Sequence, residues 1–407
     1  MSIPIRIAHI TDTHLGYRAL NKIDPATGRN ARTVDFERAF EWAVDDIIAR
    51  KPDGIIHAGD VFHQSRPTWQ SLRHFIQQMK KIEAAGIPTL VIAGNHDTPR
   101  VRTGGSAYSV LELALPTVTF HAGYEDKHDY ETFAGLNLHV QAVPHGALTS
   151  DNPPVPSTVA GRINMMVIHG MVKGILKPGQ HAEPGEEELD TSLLDSDFDY
   201  IALGHYHLTM QPPGIGNGWY AGSTERNGWG DLLATPGYML VTLNGPGEGF
   251  NNDHIPYLDA RPMLDLKPVY ADNKRGREIA DEMIERITDL GVSEEVLQQA
   301  MVRGRILNAE RGDKREAESI LKRELKDVVW NFSVAADAKI FEASGEKPEL
   351  AQEFPDLREL FSQFVESRKG SAFNDRFARV FAARGDAALV EAIAASQATT
   401  PEEDAIS

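Results

Sequence analysis

The chain has 407 residues, a formal net charge of −18 and no cysteine. That length allows roughly two to three domains at ~150 residues each, enough to bury full cores. The missing cysteines exclude disulfides, zinc ribbons and thiol nucleophiles, and the acidic balance excludes a global basic field for polyanions, although a bound divalent metal would add local positive charge.

The first ten residues lack the apolar core of a signal peptide, and no run approaches the ~18 apolar residues of a membrane span, so a soluble cytoplasmic protein is expected. Ile5 to Ile10 reads as a first strand delivering Thr11-Asp12-Thr13-His14, in which Asp12 and His14, two residues apart on extended backbone, face the same side. A polar loop from Gly16 to Arg32 follows. Asp35 to Arg50 then carries Phe36, Phe40, Val44, Ile47 and Ile48 on one stripe, as in a helix packed on a sheet.

Gly54 to Ala58 is a second strand ending in Gly59-Asp60-Val61-Phe62-His63, with His57 expected as a packed core histidine. Trp69 to Lys81 is again an amphipathic helix. Thr89 to Ala93 is a third apolar strand and opens into Gly94-Asn95-His96-Asp97. Strand and helix alternating in this way predict parallel strands with crossover helices, and loops at the carboxyl edge of such a sheet are where sites are built.

After Gly104 the pattern shifts to short strands, Val118–Phe120 and Leu136–Val140, and then to Met165–Ile168, ending in His169-Gly170. Val172 to Glu188 reads as a surface loop rich in Gly, Pro and Glu, and Tyr200–Leu203 ends in Gly204-His205-Tyr206-His207. Five apolar runs therefore each end in candidate ligands.

Asp12, His14, Asp60, Asn95, His169, His205 and His207 offer only oxygen and imidazole nitrogen, a set suited to manganese, iron or zinc. Seven ligands exceed one tetrahedral site. Two divalent ions about 3.5–4 Å apart, sharing Asp60, would use them all, and such pairs activate water for in-line displacement at phosphorus. His96, next to the ligand Asn95, points elsewhere and is free to protonate a leaving oxygen, with Asp97 expected to hold its tautomer.

These motifs resemble the calcineurin-like metallophosphoesterase superfamily. Within it, Asp12-Thr13-His14-Leu15-Gly16-Tyr17, Gly59-Asp60-Val61-Phe62-His63, Ser65-Arg66-Pro67 and Gly222-Ser223-Thr224-Glu225-Arg226 resemble the SbcD-type subunit of the DNA double-strand-break repair nuclease. The resemblance covers about residues 1–245. It implies an α/β fold, a four-layer sandwich of two sheets flanked by helices, followed by a small α+β capping domain and C-terminal helices. It further implies two ions, manganese in this family, held by the seven residues above, with His96 as the catalytic histidine and His63 placing duplex ends. Arg66, Arg100 and Arg102, just beyond two of the site loops, are candidate phosphate contacts.

The implied activity is a manganese-dependent 3′–5′ exonuclease on double-stranded DNA and an endonuclease on single-stranded DNA. A phosphodiesterase or phosphatase for small molecules, or a scaffold that only recruits an ATPase, are the competing readings. On the same resemblance residues 1–258 form the nuclease domain, 259–342 the capping domain, 343–396 a helical region binding an SbcC-type coiled-coil ATPase, and 397–407 a disordered acidic tail. Within 343–396 the apolar stripes are Leu357, Leu360, Phe361, Phe364 and Val365, then Phe377, Val380 and Phe381. The family forms homodimers through nuclease-domain helices, for which Trp69 to Lys81 and residues 98–113 are the candidates.

Overall fold

The computed structural model describes residues 3–99, 105–123, 129–130, 133, 135–150, 154–175, 188–194 and 197–335, and short helical pieces between 361 and 386. Strand β1 (Ile5–Ile10), helix α1 (Ala31–Arg50), strand β2 (Gly54–His57), helix α2 (Trp69–Ala85) and strand β3 (Thr89–Ile92) follow one another as the alternation requires. Helix α1 starts four residues before Asp35 because the Asn30 side chain accepts the Thr33 N–H and caps it. Helix α2 is capped by Thr68 and runs past Lys81 to Gly86, whose φ of 69° is the left-handed turn that ends a helix.

The first sheet has the order Phe250–Pro256, Gly237–Leu243, β1, β2, β3, Val118–His121. From β1 to Val118–His121 every pairing is parallel, whereas Gly237–Leu243 lies antiparallel to β1. The second sheet runs Gly218–Tyr220, Tyr200–Gly204, Ile163–His169, Leu138–Val143, Asp129–Tyr130, and only its last pairing is antiparallel.

Alternation along the strands builds the layers. Ile7, Ile56, Leu90 and Ile92 face Val140, Met165, Val167 and Ala202 between the two sheets. The opposite residues of the first sheet, Ala8, Ile10, Ile55 and Val91, pack under Phe40, Val44 and Ile47 of α1 and Phe75 and Met79 of α2. The outer face of the second sheet, Met166, Ile168, Ile201 and Leu203, is covered by Ala147, Leu194, Phe198 and Ile215. The central strands of both sheets are thus buried on both faces and read as continuous apolar runs for that reason, whereas the edge strand Phe250–Pro256 stays partly exposed.

A third core lies around a parallel three-stranded sheet, Met263–Asp265, Met301–Gly304 and Asn331–Val334, under helices Gly276–Thr288 and Arg311–Glu324. It belongs to the same compact unit, residues 1–336, as the sandwich. Arg261 joins the two: its guanidinium forks onto both oxygens of Asp35 at 2.7 Å and lies 3.8 Å from the centroid of the Trp330 ring. Residues 337–407 form a second unit, in which the Phe361 and Phe381 rings stand 5.5 Å apart and Val365 is buried. Leu357, Leu360, Phe364, Phe377 and the acidic tail lie outside the described residues.

Candidate metal centre

The loops after β1 and β2 are clasped to each other by backbone bonds. The N–H groups of Asp12, His14 and Leu15 donate to the carbonyls of Gly59, Asp60 and Val61, all at 2.9–3.0 Å. This clasp holds Asp12, His14 and Asp60 at φ of 52°, 40° and 54°, and His205 stands at 105°. Non-glycine residues seldom occupy this region, and where they do the strain is typically tied to function. Here it turns side chains from parallel strand ends back toward one point.

Three donor groups result, one of histidines alone (His14, His63 and His96) and two that include a carboxylate. Asp12, His14 and His207 converge in one, and Asp60, His169 and His205 in the other, with the ligand atoms of each within 4.8 Å of one another. The Asn95 Oδ1 lies 3.0 Å from His169 Nε2 and 3.2 Å from His205 Nδ1, adding a fourth donor to the second cluster. Asp60 Oδ2 stands between the clusters, 3.4 Å from His169 Nε2 and 3.8 Å from His14 Nε2. Its Oδ1 accepts the His96 N–H at 2.9 Å. Asp12 Oδ2 accepts from Thr11 Oγ1 and the His205 N–H, while its Oδ1 is buried with no hydrogen-bond partner. A buried, unpaired carboxylate oxygen beside two imidazole nitrogens only 3.1 Å apart (His14 and His207 Nε2) is what a cation site requires. The oxygen and nitrogen donors therefore fit two divalent ions.

Glycines make the convergence possible. A Cβ on Gly94 would lie 2.1 Å from Asp60 Oδ1, one on Gly59 2.4 Å from His169 Nδ1, and one on Gly204 2.1 Å from the Ala58 carbonyl. Electrostatics follow burial and partner. Burial holds His14 well below the ordinary histidine value. For His169 burial also acts downward, but the Asp60 and Asp12 carboxylates and the Ala58 carbonyl together outweigh it and raise the group to about 9. His207 is likewise raised to about 9 against burial, by the Asp231 carboxylate 2.9 Å from its Nδ1.

His96 lies beside the clusters, its ring centroid 4.9 Å from that of His14 and 5.1 Å from that of His63, on which it stacks. Its Nδ1–H donates to the His63 carbonyl at 2.8 Å. A carbonyl only accepts, so the proton sits on Nδ1 and Nε2 is the atom left to exchange one. Asp97 does not hold this tautomer. Its carboxylate accepts the N–H groups of Val61, Phe62 and Gly94 and the Tyr108 hydroxyl, and so ties the second and third loops together. The tautomer of His96 is fixed by the His63 backbone carbonyl, while both Asp97 oxygens are engaged by the loops.

His57 is buried and bonds Thr13 Oγ1 at 3.0 Å, supporting the turn between the candidate ligands Asp12 and His14. Arg66 is exposed, and Arg100 and Arg102 lie outside the described residues. Sequence reasoning missed Asp231, which sits 24 residues beyond His207 and has no spacing signal.

Comparison with known proteins agrees with this geometry. Residues 5–208 match the model of the calcineurin-like phosphoesterase family, half of the chain. The chain belongs to that family. Among curated relatives, the DNA double-strand break repair protein Mre11 of Methanocaldococcus jannaschii is 38% identical over 245 residues, covering 58% of this chain and 62% of that protein. The Haloferax volcanii protein of the same name is 34% identical over 230 residues, 54% of this chain and 46% of that one. The one from Methanococcus maripaludis is 28% identical over 227 residues, 54% and 57%. This calcineurin-like chain spans about half the length of the curated relatives it matches. Among the described residues no helix is long and apolar enough to cross a membrane.

Proposed function

We propose that the chain is a manganese-dependent DNA repair nuclease, acting as a 3′–5′ exonuclease on duplex ends and as an endonuclease on single strands, in the cytoplasm at the nucleoid. The observation that carries the reading is the pair of donor clusters flanking Asp60 Oδ2, with His96 alongside. Similarity to proteins named for double-strand break repair supports DNA as the substrate.

Asp12, His14 and His207 would hold one ion and Asp60, Asn95, His169 and His205 the other. When bound, such a pair polarises a phosphodiester and activates water for in-line displacement. The chain's own contribution is positional. Fixed loops would hold the ligands before substrate arrives, and His96, with its Nδ1 proton committed to the His63 carbonyl, would in its imidazolium form give the Nε2 proton to the leaving oxygen. His63, stacked on His96, lies where it would guide a duplex end. Arg66, with Arg100 and Arg102, would contact phosphates.

Residues 259–342, whose described part, 259–335, packs a core around its own sheet, would cap the site, and residues 343–396 would bind an SbcC-type ATPase. A homodimer through Trp69 to Lys81 or residues 98–113 is supported by the exposure of Trp69 and Leu113, at 85% and 86%. The net charge of −18 favours a second reading, a phosphodiesterase for small molecules.

The test is cleavage of an end-labelled duplex in manganese, magnesium or chelator by wild type and His96→Asn. Manganese-dependent shortening from the 3′ end, lost in the variant while both ions remain by elemental analysis, is the expected result. Hydrolysis of bis(p-nitrophenyl) phosphate with no cleavage of DNA would move the assignment to the second reading. Loss of both ions in His96→Asn would remove the role given to that histidine.

A further inference from the structure

We infer that the third module sets the orientation of a metal ligand of the sandwich, through the path Arg303–Trp229–Asp231–His207. The inference rests on the dinuclear reading above and adds to it a positioning residue, Asp231, and its control from outside the sandwich.

The path starts in the sheet of the third module, where Asp265 and Arg303 are paired in register on adjacent parallel strands. Arg303 donates from Nε and Nη2 to both Asp265 oxygens, at 3.0 and 2.8 Å, so the plane of its guanidinium is fixed by its own module. That plane lies 4.5 Å from the centroid of the Trp229 ring. Trp229 opens a 3₁₀ turn, Trp229–Asp231, whose last residue meets His207 Nδ1 at 2.9 Å. A carboxylate on the outer nitrogen of an imidazole fixes ring and tautomer, and so aims Nε2. His207 Nε2 is the atom that stands 3.1 Å from His14 Nε2 and 4.0 Å from Asp12 Oδ1, in the first donor cluster. The turn is braced on its other side as well: Asp231 accepts the Asn227 N–H at 2.7 Å, and the Tyr17 hydroxyl donates to the Asn227 carbonyl. The segment also meets the third module's boundary where Arg226 Nη1 donates to the Arg261 carbonyl and the Arg261 N–H to Glu225, but the stack on Trp229 is the contact made on the turn that carries Asp231 itself.

The experiment is a titration of the full chain with Mn²⁺, free ion being read by electron paramagnetic resonance, for wild type, Asp231→Ala, Asp231→Asn, Arg303→Lys and Arg305→Ala. Arg305 also reaches Asp265, at 3.4 Å, and serves as the control for charge alone. Wild type should bind two ions. Asp231→Ala should weaken one of them by about 10–100-fold and leave the other unchanged. Arg303→Lys should weaken the same ion by a smaller factor, and Arg305→Ala neither. If Asp231→Ala does not fold, Asp231→Asn, which keeps an acceptor for Asn227, decides the point. A purely structural role would lower the melting temperature without separating the two ions. Wild-type titration by Arg303→Lys overturns the path, and unchanged binding by both Asp231 variants overturns the positioning role. A wild type that binds no Mn²⁺ overturns the dinuclear reading itself.

Discussion

Gly94→Ala isolates the steric logic of the metal centre. Gly94 is absent from the positive-φ positions, so alanine meets no backbone penalty there and the whole effect is the new methyl. That Cβ would lie 2.1 Å from Asp60 Oδ1, 2.5 Å from the Asp60 nitrogen and 2.7 Å from His169 Cε1. Ordinary contact begins near 3.4 Å, so the Asp60 carboxylate must retreat by about 3.4 − 2.1 = 1.3 Å or the third loop must back away by the same amount. Either movement far exceeds the ~0.2 Å tolerance of a metal–ligand distance. Overpacking of this kind costs on the order of 1–3 kcal/mol, small against the stability of a domain. The variant should therefore fold, lose most of its Mn²⁺ affinity at the Asp60 site and lose turnover with it. Calorimetric Mn²⁺ titration next to thermal unfolding measures both, with Gly312→Ala as the control, since nothing lies within 4 Å of a Cβ at that helical glycine. Two ions bound with wild-type affinity by Gly94→Ala would refute the packing of Gly94 against Asp60.

Metal binding should release protons. His169 and His207 are raised to about 9 by the carboxylates that face them, so both carry a proton at neutral pH that an ion must displace. Apparent Mn²⁺ affinity is expected to climb from pH 7 to about 9 and then level, and calorimetric heats should depend on the buffer; equal heats in buffers of different ionisation enthalpy would contradict this. In chelator, Asp97 gives the opposite slope: burial and then the charge of Asp60 raise it from 3.8 to about 7. The folded state then holds the proton more tightly than the unfolded one, so this group's contribution falls as pH rises from about 3.8 through 7. Asp97→Asn should flatten that part of the melting-temperature profile, and an unchanged profile would argue against the shift.

The alternation of β1, α1, β2, α2 and β3 was legible because both faces of the first sheet are covered, which leaves its strands as apolar runs such as Thr89–Ile92 and its helices as stripes such as Phe40, Val44 and Ile47. The candidate ligands stood out in the sequence because each lies at a strand end or within a few residues of one. What escaped notice lacked periodicity or proximity. The short helix Tyr108–Ala114 follows no side-chain cap, and the start of α1 hid in a polar loop although Asn30 is a good capping residue. Met301 to Leu307 reads as one strand but splits at Arg305, Met301–Gly304 and Ile306–Leu307 pairing in different sheets. Gly237–Leu243, the antiparallel neighbour of β1, comes more than 220 residues after it, a separation over which no local pattern speaks.

The role of Asp97 shows why the residues of a site are easier to read than their division of labour. Adjacency in sequence makes it the expected partner of the His96 imidazole, yet the two side chains bond to different groups. At Asp97 one oxygen accepts the Val61 and Gly94 N–H groups and the Tyr108 hydroxyl, and the other accepts the Phe62 N–H. Those N–H groups come from the same loops that hold Asp60 and Asn95. The strained φ values of Asp12, His14 and Asp60 each cost on the order of 1–3 kcal/mol and persist only where surroundings enforce them. The clasp of backbone bonds between the first two loops and the Asp97 bridge between the second and third supply that enforcement without using a single ligand atom. Geometry at the centre is consequently set by the polypeptide, and the free energy of metal binding is left for the ions' own contacts instead of being consumed in ordering the loops.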